Sequence, residues 1–207
     1  MTRIVAGVAG GRRLQVPPRG TRPTSDRVRE ALFSSLEALV ELDGARVLDL
    51  YAGSGALGFE ALSRGAAHAV FVESDKRAAE VLKANAKALA LPGATVIART
   101  ADAVVAAPAE QPCDVVFADP PYAVGDDELH RVLTALVANG WTADGTVVIV
   151  ERAARSAEPI WPSPLESLRS KRYGDTALYW AEHVTPTGDA DHAPEWTHPI
   201  GCYRPKP

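Results

Sequence analysis

The sequence predicts an α/β fold, a mostly parallel sheet wrapped by helices on both faces. Three observations carry that expectation. From residue 45 onward, short β-branched runs alternate with helical stretches. One run, Asp114 to Ala118, is nearly all apolar, as a strand covered on both faces must be. A glycine-rich turn joins the first run to the first helix, the strand–turn–helix order of a parallel sheet.

In chain order, Ala45 to Leu50 reads as strand, Leu57 to Ser63 as helix and His68 to Glu73 as strand. Lys76 to Leu89 has a helical pattern that stops before Pro92-Gly93, and Ala94 to Arg99 reads as strand. After the apolar strand, with Cys113 beside it as core filler, Glu128 to Val137 is expected as helix and Thr146 to Val150 as strand. Leu168 to Tyr173 and Thr176 to Glu182 flank Gly174-Asp175, the pattern of an antiparallel hairpin at the sheet edge.

Ahead of this body, Arg3 to Gly7 and Arg12 to Val16 surround Gly10-Gly11 and predict a small hairpin. Pro17, Pro18 and Pro23 keep the chain extended until Thr24 or Ser25 caps a helix, with Asp26 suited to the positive end of its dipole. Val28, Leu32, Leu36 and Leu39 recur at helical spacing and face the body, leaving Arg27 and Arg29 to point elsewhere. Beyond residue 184, five prolines and no apolar period read as a tail or an extended wrap. The expected organisation is an arginine-rich extension (1–40), a main domain (41–184) and the tail (185–207).

At 207 residues and 46% hydrophobic, the chain buries a full core. It has no apolar run of about 18 residues and no signal-like start, so a cytoplasmic protein is expected. Two cysteines, Cys113 and Cys202, and five scattered histidines exclude a disulfide framework and a zinc spacing, and metal-free chemistry is expected. Charge is segregated: residues 1–29 hold seven arginines against Asp26, so they carry +6 in a chain of net −4. Such an arm suits a polyanion, because guanidinium forks pair with phosphate in two-point geometry.

The first strand runs into Asp49-Leu50-Tyr51-Ala52-Gly53-Ser54-Gly55-Ala56-Leu57-Gly58, which satisfies G-x-G-x-x-G between strand and helix. The glycines let a nucleotide approach the backbone, and Glu73, twenty residues on, can accept ribose hydroxyls. These two features fit a nicotinamide cofactor as well as S-adenosylmethionine. Asp49 separates them. A carboxylate there repels a pyrophosphate and attracts the ammonium and sulfonium of S-adenosylmethionine, at about 1.5–3 kcal/mol per charge-assisted bond.

The sharpest signal is Asp119-Pro120-Pro121-Tyr122, directly after the apolar strand. Two prolines stiffen the backbone and remove two amide donors, leaving an acceptor-rich corner. An exocyclic aryl amine is a poor nucleophile until its hydrogens are held. Accepted by the Asp119 carboxylate and the Pro120 carbonyl, they free the nitrogen lone pair for attack, while the ring of Tyr122 stacks on the base.

Together these motifs and the arginine-rich start resemble the bacterial 16S ribosomal RNA (guanine-N2) methyltransferases of the guanine-966 type. Arg3 to Gly7 with Gly11 to Leu14, Arg22-Pro23-Thr24 to Phe33, and Lys171 to Thr176 also match that pattern, so the resemblance covers about residues 3–182. It implies a Rossmann-like, seven-stranded class I methyltransferase sheet with a small N-terminal hairpin and helix extension. The implied donor is S-adenosylmethionine and the implied acceptor is guanine N2 in 16S ribosomal RNA of the small-subunit particle, acted on by a monomer. It also implies that Asp49, Gly53, Ser54, Gly55, Glu73, Ser74 and Asp102 hold the cofactor, with Asp102 at the adenine amine, and that Asp119, Pro120, Pro121 and Tyr122 are catalytic. Arg3, Arg12, Arg13, Arg22, Arg27 and Arg29 are the expected RNA contacts. Competing readings are an adenine-N6 DNA methyltransferase, for which no target-recognition domain is evident, a non-catalytic RNA-binding assembly factor, and a nicotinamide oxidoreductase.

Overall fold

The computed structural model describes residues 2–17 and 25–186. Thr2–Arg3 (β1) and Arg13–Leu14 (β2) form a short antiparallel ladder, followed by the helix Asp26–Leu36 (α1). The body then alternates through Arg46–Leu50 (β3), Ala56–Ser63 (α2), His68–Val72 (β4), Lys76–Leu89 (α3), Ala94–Ile97 (β5), Ala101–Val105 (α4) and Val115–Ala118 (β6). Asp126–Ala138 (α5), Val147–Ala153 (β7), Leu165–Tyr173 (β8) and Thr176–His183 (β9) complete it. Strands β3 to β9 form one seven-stranded sheet in the order β5-β4-β3-β6-β7-β9-β8. The strands from β5 to β7 in that order run parallel, and β9 and β8 pair antiparallel.

Alternation along the strands divides the core in two. Val47, Phe71, Phe117 and Ile149 face Phe33 of α1, Phe59 of α2 and Leu82 of α3. Leu48, Val72, Val116 and Val148 face Val104 of α4 and Leu133 of α5. Each such buried side chain contributes about 1.5–3 kcal/mol, so burial on both faces explains why β6 needs an uninterrupted apolar run. The strand order reverses between β3 and β6, the switch point outside whose carboxyl ends open α/β sheets bind their ligands.

The N-terminal hairpin is shorter than its sequence pattern, because a distant carboxylate competes for its backbone. Glu60, fully buried in α2, accepts from the Val5 amide at 2.7 Å and the Ala6 amide at 2.9 Å, which takes those residues out of the ladder. Ser63 Oγ accepts from the Ala9 amide at 2.9 Å. Asn85 of α3 pairs with both backbone groups of Gln15 at 2.9 Å.

Other boundaries shift modestly. Ser25 caps α1 through the Val28 amide at 3.3 Å, but the helix ends at Leu36 and Leu39 is 46% exposed rather than packed. β5 stops at Ile97 instead of Arg99, and the short α4 that follows had no periodic signal. Cys113 is buried just before β6. Arg22, Thr24 and the tail from residue 187 lie outside the described residues.

Candidate active site

After β3 the chain turns at Tyr51, which adopts φ 62°, and Gly53 and Gly55 follow at φ 54° and 81°. Gly55 opens α2, and a Cβ there would lie 2.5 Å from Leu82 and Phe59, so only glycine lets the loop rest on the core. A Cβ on Gly53 would meet nothing within 4 Å, so that residue borders open space. Ser54 is half-buried and its carbonyl accepts from Asn85 Nδ2 at 3.0 Å, while Ser74 is exposed.

Two carboxylates brace this loop. Glu73 accepts from the Gly53 amide at 2.8 Å and the Asp75 amide at 2.7 Å. Asp49, only 2% exposed, accepts from the Gly58 amide at 2.9 Å in the first turn of α2. Burial pushes the Asp49 carboxyl up to about 7; the Gly58 bond opposes the shift and the charge of Glu73 adds to it. Between 3.8 and about 7 the folded chain therefore holds a proton that the unfolded chain has released. This group's contribution makes folding stability fall as pH rises through that window. Urea unfolding at about pH 5 and about pH 8 should show Asp49→Asn gaining on the unsubstituted protein at the higher pH, and a constant difference would refute the shift.

The second loop leaves β6. The Asp119 amide still reaches the Leu50 carbonyl at 3.4 Å, which sets the Asp-Pro-Pro-Tyr corner directly beside the start of the glycine loop. Asp119 is half-buried, Pro120 is buried, and Tyr122 is 76% exposed, presenting its ring to solvent. The Val124 amide closes a turn on the Pro121 carbonyl at 2.9 Å. Arg152 of β7 fastens that turn, donating to the Val124 carbonyl at 3.0 Å and to Asp126 at 2.6 Å. Burial holds the Asp119 carboxyl well above the ordinary carboxylate range, and the charges of Glu151 and Asp49 raise it further.

Asp102 sits exposed in the first turn of α4, its carboxyl lowered chiefly by a hydrogen bond with Thr100. The Tyr51 phenol is pushed up to about 12 by burial and then by the charges of Glu128 and Asp102, so both acids lie within electrostatic reach of the loop.

The arginine arm divides by its partners. Arg29 is 1% exposed and bonds Asp26 at 2.8 Å and the Arg3 carbonyl at 2.5 Å, so it is part of the core and not a surface for phosphate. Arg12 donates to the Leu89 carbonyl at 2.7 Å and to the Ala88 carbonyl, satisfying the last turn of α3. Arg29 is thereby withdrawn from the expected RNA contacts, whereas Arg12 is exposed and spends two of its five guanidinium donors on the chain itself. Arg13 and Arg27 are exposed, and Arg3 is 62% exposed despite its 2.9 Å bond to Asp26.

Sequence reasoning missed Glu60, Asn85, Arg152 and Glu151. Glu60 carried a signal, a lone acid in the otherwise apolar run Leu57 to Leu62. The others look like ordinary surface residues in sequence. Among the described residues no group of three or more His, Cys, Asp or Glu could hold a metal ion, and no helix is long and apolar enough to cross a membrane.

A seven-stranded sheet of this order, with a glycine loop and an Asp-Pro-Pro-Tyr corner at its switch point, defines a class I methyltransferase fold. The chain belongs to the family described as Conserved hypothetical protein 95, whose model matches residues 2–182. It is 39% identical over 192 residues to the ribosomal RNA small subunit methyltransferase D of Escherichia coli (strain K12), spanning 91% of this chain and 94% of that one. It is 34% identical over 180 residues to the putative rRNA methyltransferase YlbH of Bacillus subtilis, spanning 85% and 96%. The solved structure of the putative methyltransferase yhhF from Escherichia coli matches with a TM-score of 0.78 at 35% identity, over 89% of this chain and 98% of that one. The resemblance drawn from the motifs is thereby borne out.

Proposed function

We propose that this protein transfers a methyl group from S-adenosylmethionine to the N2 amine of a guanine, guanine 966, in 16S ribosomal RNA of the small-subunit particle. The observation that carries the reading is the 3.4 Å backbone bond between Asp119 and Leu50, which sets the amine-holding corner beside the glycine loop. The relatives named as ribosomal RNA methyltransferases support the substrate class.

The residues fit that donor. Gly53 borders open space, and Asp49 and Glu73 set two carboxyl groups against the loop. When bound, S-adenosylmethionine supplies an electrophilic methyl on a sulfonium. Asp49 would face its ammonium, Glu73 would exchange the Gly53 amide for ribose hydroxyls, and Asp102 would take the adenine amine, with Ser54, Gly55 and Ser74 along its path. Asp119 and the Pro120 carbonyl hold the two hydrogens of the target amine, and Tyr122 stacks on the base at about 1–3 kcal/mol. The raised basicity of Asp119 suits it to take the amine's proton once the new bond has formed.

Residues 1–40 would serve as the RNA-facing extension and residues 41–184 as the catalytic domain. Of the described arginines in that extension, the exposed Arg3, Arg12, Arg13 and Arg27 remain able to meet phosphate. Replacing Arg13 and Arg27 together by alanine should flatten the salt dependence of RNA binding, by about 0.7–0.9 in log–log slope for each phosphate left without its arginine. An unchanged slope, read by filter binding across a salt series, would remove them from the interface.

The reading is tested by transferring labelled methyl to small-subunit particles from cells lacking this protein, followed by nucleoside analysis. Label in N2-methylguanosine supports it. Label in N6-methyladenine of duplex DNA instead, or none anywhere, refutes it.

A further inference from the structure

Four acids follow the rows of side chains on the sheet face that α1, α2 and α3 cover. Asp49, Glu73, Asp119 and Glu151 continue the parity of Val47, Phe71, Phe117 and Ile149, each two residues beyond its core neighbour. Asp49 and Glu73 brace the glycine loop, and Asp119 belongs to the corner. Glu151, half-buried on β7, has no part in the mechanism so far.

Its position is specific. Ala118 and Val150 are the last pair of the parallel β6–β7 ladder, and Asp119 and Glu151 are the residues that directly follow them on the two chains. Both follow the same face, and the charge of Glu151 reaches the Asp119 carboxyl. A base held by its amine at Asp119 therefore has a second carboxylate beside the adjoining edge position, with the exposed ring of Tyr122 nearby in the same loop.

Guanine and adenine differ at that edge position. Guanine offers two neighbouring donors, N1–H and the N2 amine, whereas adenine sets an unprotonated N1 beside its N6 amine. A carboxylate only accepts, so it bonds the first pattern and repels the lone pair of the second.

We infer that Glu151 is the residue that selects guanine, its carboxylate accepting N1–H of the base whose N2 amine is held at Asp119. The inference rests on the guanine-N2 reading above and deepens it by naming what excludes an adenine-N6 substrate. A carboxylate has about four acceptor sites, so the partner Glu151 already has within the protein leaves capacity for N1–H. Discrimination should be large, because a site built to bond a donor rejects an analogue that lacks it by far more than a missing methylene would cost.

The experiment uses the full chain and small-subunit particles reconstituted with guanine or 2-aminopurine at the target. 2-Aminopurine keeps the reacting amine but has a bare N1. The unsubstituted protein should prefer guanine by at least about tenfold in kcat/KM. Glu151→Gln, whose amide can donate to a bare N1, should bring that preference to within about threefold. If it slows both bases equally, Glu151 acts on packing or on the basicity of Asp119, and the inference is overturned. Equal use of both bases by the unsubstituted protein overturns it too, whether or not the variant folds. Failure of the underlying reading looks different: the unsubstituted protein then places no label on N2 of guanine at all.

Discussion

Asp119→Ala should lower methyl transfer about a hundred- to a thousandfold while leaving S-adenosylmethionine affinity within about threefold of the unsubstituted protein. On the proposed reading the Asp119 carboxylate meets the substrate amine, while the cofactor loop is braced by Asp49 and Glu73. Removing it leaves one amine hydrogen unheld, so the nitrogen lone pair stays delocalised into the ring. Single-turnover methylation and calorimetric titration of the donor separate the two effects. Turnover near normal would take Asp119 out of the reaction, and a parallel loss of donor affinity would make it a scaffold residue. Asp119→Asn keeps the shape but loses the charge and most of the basicity, so it should stay severely impaired. The unsubstituted protein should lose rate on the acid side at a pH well above the ordinary carboxylate range, because protonating Asp119 removes an acceptor that burial and its neighbours have already made basic.

The largest stability effect is expected at Glu60. Its fully buried carboxylate holds the Val5 and Ala6 amides and the Arg64 guanidinium, each at 2.7–2.9 Å. Glu60→Ala strands two amides and leaves the half-buried Arg64 with Glu37, at 2.9 Å, as its remaining ionic partner among the described residues. A loss of about 3–5 kcal/mol in urea unfolding is expected, with earlier proteolytic cutting of the N-terminal segment. Glu60→Gln, which retains an acceptor, should lose less. A change below about 1 kcal/mol for the alanine variant would mean that the extension is anchored by Ser63 and Asn85 instead.

These two residues were unequally legible. Asp119 announced itself, because a rigid Asp-Pro-Pro-Tyr corner after an apolar strand has few structural uses. Glu60 was visible only as an oddity, an acid in an apolar helix, since the two amides it holds lie more than fifty residues earlier in the chain. The arm shows the same limit. Counting arginines marked it as basic, yet Arg29 is buried against Asp26 and Arg12 satisfies the end of α3. Glu151 gave no signal, because its nearness to Asp119 follows from pairing between β6 and β7, two strands that an intervening helix separates in sequence.

The amino-acid sequence by itself determined the layered α/β architecture, the edge hairpin, the glycine loop and the corner. Hydrophobic period and turn chemistry act over a few residues and survive in one dimension. Tertiary structure alone decided the length of the N-terminal ladder, which arginines remain available to phosphate, and the alignment of four carboxylates along one sheet face. Each depends on whether a donor or acceptor meets a partner far away in the chain. A buried polar group must be matched, and only the folded chain shows which groups match each other.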